Sequence, residues 1–141
     1  MRQTTMHTSP WARPELRPGV TAAVLFSGLV ALAIGIWAFF APASFAEFVA
    51  FPYNRHLMHD VGAFQIGIGA TLLLALLWAD SIMVALAGYV VGSSFHVVSH
   101  IIDRHIGGNI YETLGLGLLV VIGLAGMYAR ARGGRARGGR A

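Results

Sequence analysis

The chain of 141 residues contains no cysteine and no lysine, and charged residues make up only 11% of it. Without cysteine there is no disulfide, no thiolate metal ligand, no thiol nucleophile and no covalent c-type haem attachment. The shortage of charge excludes an ordinary soluble domain, where about a quarter of residues are charged. Also missing are Gly-x-Ser-x-Gly, a phosphate-cradling glycine loop before a lysine, and His-Glu-x-x-His. These absences argue against common soluble hydrolases, nucleotide enzymes and zinc proteases.

What remains is 56% hydrophobic, with a mean hydropathy of +0.67. The pI of 10.4 arises from ten arginines, eight of them at the two ends of the chain. Arg2, Arg13 and Arg17 precede the first apolar run, and Arg130, Arg132, Arg135, Arg137 and Arg140 follow the last. Basic flanks of this kind belong beside a membrane, so anionic lipid is the expected partner of the C-terminal arginines and nucleic acid is not.

Four apolar runs occupy about residues 20–40, 61–79, 82–102 and 111–128. Roughly 20 helical residues cross a ~30 Å hydrocarbon core, and only helices or closed barrels satisfy their backbone there. The runs are too long and continuous for barrel strands. The expected fold is an all-α, four-transmembrane-helix bundle with antiparallel neighbours and a short interfacial helix in the first loop. Residues 1–19 read as a disordered basic arm, and 129–141, with "ARGGR" repeated in tandem, as a disordered tail. An even number of spans puts both termini on one side. Arginine bias makes that side cytoplasmic in a multi-pass plasma-membrane protein. "APASFA" after the first run resembles a signal cleavage site, but the preceding segments are long for a signal peptide, so the span is read as retained.

Local signals divide the runs. Only "ADS" separates the second and third, which must then form an antiparallel hairpin. Gly107 and Gly108 can end the third, and Asn109 with Glu112 reads as a cap for the fourth. In the first loop, Ser44 and Glu47 have capping-box spacing, and Phe45, Phe48 and Phe51 suit an interface. Small-residue stripes (Gly28, Ala31, Gly35 and Ala38; Gly88 and Gly92; Gly115, Gly123 and Gly126) predict close helix packing within the bundle or between chains of a homo- or hetero-oligomer.

The chemistry-bearing residues gather at the outer helix ends. His56, His59 and Asp60 enter the second span, His96, His100, Asp103 and His105 leave the third, and Glu112 begins the fourth. His96, His100 and Asp103 form one stripe at i, i+4 and i+7, and Gly88 and Gly92 place it on an expected packing face. His96 and Asp103 are about 10 Å apart along the helix axis, too far to share one ion easily. His56, Asp60, His96 and His100 are therefore the candidate metal ligands, with Asp103 orienting His100 from behind. Gln65 is a poorer candidate because it lies about 140° around its helix from Asp60. Cofactor candidates are a divalent transition metal or a b-type haem held by histidines on facing helices. A purely structural hydrogen-bond network and a proton or pH role stay open beside them.

"APASFAEFVAFPYNRHLMHDVGAFQIGIG", followed by "FHVVSH", resembles a largely uncharacterised group of small four-helix integral membrane proteins, DoxX-like in general form. The matching positions are Pro42, Ser44 and Phe45; Tyr53, Asn54, His56, Leu57, Asp60 and Gly62; and His96 with His100. The resemblance covers about residues 20–128 and leaves out His59 and His105. It implies the architecture and singles out residues without supplying a reaction. The expected function is an accessory or scaffold membrane protein with a His/Asp cluster at the outer face. Metal or haem handling is the first alternative, and an oligomeric proton or small-solute transporter the second.

Overall fold

A computed structural model describes residues 17–78, 81–105 and 110–138, with the side chains of the last segment described to Arg132. Its elements are α1 (Pro18–Phe40), α2 (Pro42–Phe48), α3 (Arg55–Ala75), α4 (Ser81–Ile102) and α5 (Ile110–Gly138). The four long helices each carry a stretch apolar and long enough to span a membrane, in α5 over Ile110–Arg132. There is no strand among the described residues. The protein is an all-α four-helix bundle of membrane type.

Sequence chemistry explains most of the boundaries. Pro18 opens α1, where a missing N–H is harmless. Ala41, held out of the helical region at φ −134° before Pro42, closes it. Pro42 then opens α2, so the N-cap of α2 is Ala41 and not Ser44. The expected Ser44–Glu47 capping box does not form. Ser44 Oγ instead accepts from Trp37 Nε1 at 2.8 Å and donates to the Ala41 carbonyl at 3.1 Å, fastening α2 to the end of α1.

The amide of Phe51 donates to the Ala46 carbonyl and that of Ala50 to Glu47, both within 3.1 Å, with Ala50 in the left-handed region at φ 49°. This is a Schellman ending, with alanine where glycine is usual. Asn54 caps α3, its Oδ1 accepting from Leu57 N at 3.1 Å. That cap draws the polar turn Arg55–Asp60 into the helix, so α3 begins six residues before the apolar run at Val61.

Helix α5 runs on to Gly138, past residue 129 where the sequence predicts a disordered tail. Alanine and arginine are strong helix formers. In "YARAR" the Arg132 guanidinium lies 4.8 Å over the Tyr128 ring, one turn back. The caps and turns assigned to Asp80, Gly107, Gly108 and Asn109, and residues 1–16 and 139–141, lie outside the described residues.

Packing is uneven. Helix α1 is the hub, pressed most closely on α3 and also against α5, and α4 packs on α5. The α1–α3 seam is a double glycine interlock in antiparallel register. A Cβ added at Gly35 would lie 2.6 Å from Ile66 N and 2.9 Å from Gly62 O, and one at Gly69 would lie 2.7 Å from Leu32 N and 2.8 Å from Gly28 O. Backbone meets backbone there, as lipid-embedded helices require when burial gives no drive. Gly123 and Gly126 similarly admit Tyr89, Val90, Leu86 and Ala23.

Gly88, Gly92 and Gly115 do not follow the expectation, since nothing lies within 4 Å of a Cβ built at any of them. The reason is that α3 and α4, although joined by the shortest connection, touch only sparsely. The histidine stripe of α4 therefore faces a gap and not a close-packed seam. Two openings separate these helices, of about 850 Å³ at the α4–α5 turn end and about 810 Å³ toward the opposite end.

Candidate functional site

The larger cavity is built from all five helices. The short helix α2 folds back over the end of α1 and α3, with Phe45 and Ala46 buried against Ala38 and Met58. That placement turns Phe48 and Val49 toward α4 and α5 as one wall. Helix α3 supplies Leu57, Met58, Val61 and Gln65, a single stripe at helical spacing. Helix α4 contributes His96, Ser99 and His100, with Asp103 just past its end, and α5 adds Tyr111 and Glu112 with the bare backbone of Gly115. The result is an apolar chamber with a polar end.

Within the polar end, the imidazoles of His96 and His100 are 4.9 Å apart between centroids and tilted by 57°. His100 Nδ1 lies 4.0 Å from Glu112 Oε2, linking α4 to α5. Their side chains are 22% and 14% exposed, so the link sits inside the protein. That separation exceeds hydrogen-bond length, leaving an electrostatic contact between the two side chains. Ser99 Oγ donates to the His96 carbonyl at 2.8 Å.

The four candidate metal ligands do not converge. His56 and Asp60 pair with each other at 3.5 Å across one turn of α3, 89% and 52% exposed, and neither lines the cavity. Helical phase is the cause. The cavity stripe of α3 centres between Val61 and Gln65 in helical phase, which turns His56 and Asp60 more than about 110° away. His59 also faces elsewhere, stacked on Phe39 of α1 at 5.0 Å. Asp103 lines the cavity, but the carboxylate that meets His100 is Glu112, not Asp103. His105 is exposed in the turn after α4. Among the described residues, no three His, Asp or Glu side chains come together as a metal site would require.

Two residues gain importance. Glu112, by sequence a helix-start residue, is the cross-helix partner of His100. Gln65 reaches the cavity through the same phase, about 140° from Asp60, that makes it a poor partner for that carboxylate. Its signal lies in the α3 stripe Leu57, Met58, Val61 and Gln65, once that stripe and not the charged one is taken as inward.

The chain matches no protein-family model, no curated protein and no solved structure. Any functional reading therefore rests on the geometry of this cavity.

Proposed function

We propose that this is an accessory membrane protein that holds a small amphipathic molecule, apolar body in the chamber and polar head at the His96–His100–Glu112 end. One observation carries the reading: a cavity of about 850 Å³, within the usual range for small-molecule sites, with apolar walls and a few convergent polar groups at one end. The DoxX-like kinship is part of this reading, carried by the Tyr53–Gly62 segment and the histidine pair. So is the topology, with termini cytoplasmic in the plasma membrane and the polar end outward, supported by the arginines at the chain ends.

Gly115 provides the test. It lines the cavity and has nothing within 4 Å of a Cβ placed on it, so Gly115→Leu fills the space without a clash at its first atom. Native mass spectrometry of protein purified in mild detergent should find a co-purifying small molecule on the wild type and not on Gly115→Leu. Equal occupancy in both proteins, at equal thermal stability, would refute the reading. Absence of any cysteine makes topology equally testable: single cysteines replacing Arg104 and Arg132 should be labelled by an impermeant maleimide from outside and inside respectively.

A further inference from the structure

We propose that the molecule held in the cavity is a long-chain lipid of the surrounding bilayer. Its head lies among His96, His100 and Glu112, and its hydrocarbon chain leaves the chamber to lie in the seam between α3 and α4. This rests on the binding reading above and adds the ligand's class and the path of its tail. The two openings of the seam fall on one line. On α3, Val61 of the chamber and Ile68 of the second opening are seven residues apart, which turns them only about 20° from each other. On α4, His96 and Ser99 of the chamber follow Ala85 and Gly88 of the second opening by eleven residues, again about 20° apart. Gly92 stands one turn from both Gly88 and His96, with nothing within 4 Å of a Cβ built on it. The same two helix faces therefore border both spaces.

Length decides that a chain must leave the chamber. Ile34, His96 and Leu116 each stand six residues from the near end of their helix, so the chamber reaches only about 9 Å inward on α1, α4 and α5. Half of the hydrocarbon core is ~15 Å. The way out is between α3 and α4, the sparsely packed pair. Toward their hairpin this seam is closed from behind by Leu72, Ala75, Ile82 and Leu86, buried in one cluster. Its rims, Phe64 and Val84, are each 75% exposed, so the furrow faces lipid. Gly67 and Gly88 line it with bare backbone, and nothing lies within 4 Å of a Cβ added at either. Apolar burial gives no drive within lipid, so close dispersion contact along such a furrow is what favours a bound chain over a free one. His100 and Gly88 are about 18 Å apart along α4, so an extended chain headed at His100 ends near Gly88.

Photolabelling reads where the chain lies. Cells expressing the full-length protein are fed a fatty acid with a diazirine at its end, so that lipids of every headgroup class carry the probe. After illumination, labelled residues are mapped by peptide mass spectrometry. Label should concentrate on Ile68, Gly88 and Gly92 relative to Leu29 of α1 and Val121 of α5, which are 55% and 60% exposed and report ordinary boundary lipid. Gly115→Leu, which fills the chamber from α5, should bring seam labelling down to that boundary level. Conversely, Gly88→Leu and Gly67→Leu, on opposite walls of the furrow, should each lower the occupancy of the co-purifying molecule seen by native mass spectrometry. Fragmentation of that molecule should release a long hydrocarbon chain. If Gly115→Leu empties the chamber but leaves seam labelling unchanged, the tail path is overturned and the binding reading stands. A co-purifying molecule without a long chain has the same consequence. Uniform labelling of all lipid-facing surfaces would likewise overturn the path, leaving boundary lipid only. Efficient disulfide formation between copies carrying Gly92→Cys, in vesicles at low protein density, would assign the furrow to a second chain and overturn the lipid. No co-purifying molecule on the wild type would bring down both readings.

Discussion

Gly62→Ala isolates the contact on which the whole arrangement turns. A Cβ at residue 62 would stand 2.7 Å from Phe39 N, 2.8 Å from Phe39 Cβ and 2.9 Å from Gly35 O. Two of these three neighbours are backbone atoms that no rotamer change can move. Ordinary carbon contacts begin near 3.5 Å, so α1 and α3 must part by roughly 0.5–1 Å, which forfeits a quarter to a half of each dispersion contact along the seam. Overpacking of this kind costs about 1–3 kcal/mol. Gly67→Ala is the matched reference, in the same helix five residues on, with nothing within 4 Å. There the helix-propensity gain of up to about 1 kcal/mol acts alone. The two variants should therefore differ by about 1–4 kcal/mol with opposite signs relative to wild type. Reversible unfolding in mixed detergent micelles, followed by helical circular dichroism, measures this. Gly35→Ala combined with Gly62→Ala should be sub-additive by at least about 0.5 kcal/mol, because the first methyl opens the space that the second needs. Equal unfolding midpoints for Gly62→Ala and Gly67→Ala would refute the interlock.

Other perturbations follow from the same contacts. Ala50→Gly should stabilise the protein by about 1 kcal/mol, since the Schellman turn holds a non-glycine residue at φ 49°; a lower thermal midpoint would contradict that account. Asn54→Ala should cost about 1 kcal/mol by removing the cap on Leu57 N, with local fraying of the first turn of α3 visible as faster amide exchange at residues 55–58. Trp37→Phe keeps the ring contacts with Phe45 and Phe48 but loses the bond to Ser44. It should loosen α2 by about 1 kcal/mol and raise proteolysis near residues 49–53, whereas an unchanged cleavage rate would show that the bond does not hold the short helix. His56→Ala and His96→Ala should separate cleanly. The first, on an exposed pair outside the chamber, should leave cavity ligand occupancy at the wild-type value, and the second should reduce it. A metal or haem signal in the purified protein that disappears in both variants would show that the two sites act together.

Much of the architecture was legible because lipid imposes it. A run such as Val20–Phe40 has no charge to place anywhere but in hydrocarbon, and at that length only a helix satisfies its backbone. Pro18, Pro42 and Asn54 set helix starts by chemistry that acts within a few residues, and the αL turn at Ala50 ends α2 by its hydrogen bonds. The small-residue face of α1 was likewise visible as a stripe. The identity of its partner was not, because glycine at 62 and 69 looks the same in sequence as glycine at 88 and 92, and only the neighbouring helix distinguishes a seam from an opening.

The candidate site divides along the same line. The sequence alone determined which chemistry this chain can use: histidine, carboxylate and aromatic groups near helix ends, with no thiol and no lysine anywhere. It also determined where along each apolar run they stand. Which of them meet was decided by the tertiary structure, through helix rotation. Burying Gly62 and Gly69 against α1 sets the phase of α3, which carries Gln65 into the cavity and His56 and Asp60 out of it. The docking of α5 on α4 then brings Glu112 to His100, where the local spacing points to Asp103 on the same helix as the histidine. Helical phase relative to a neighbour is a property of packing between segments far apart in the chain, and no local pattern encodes it.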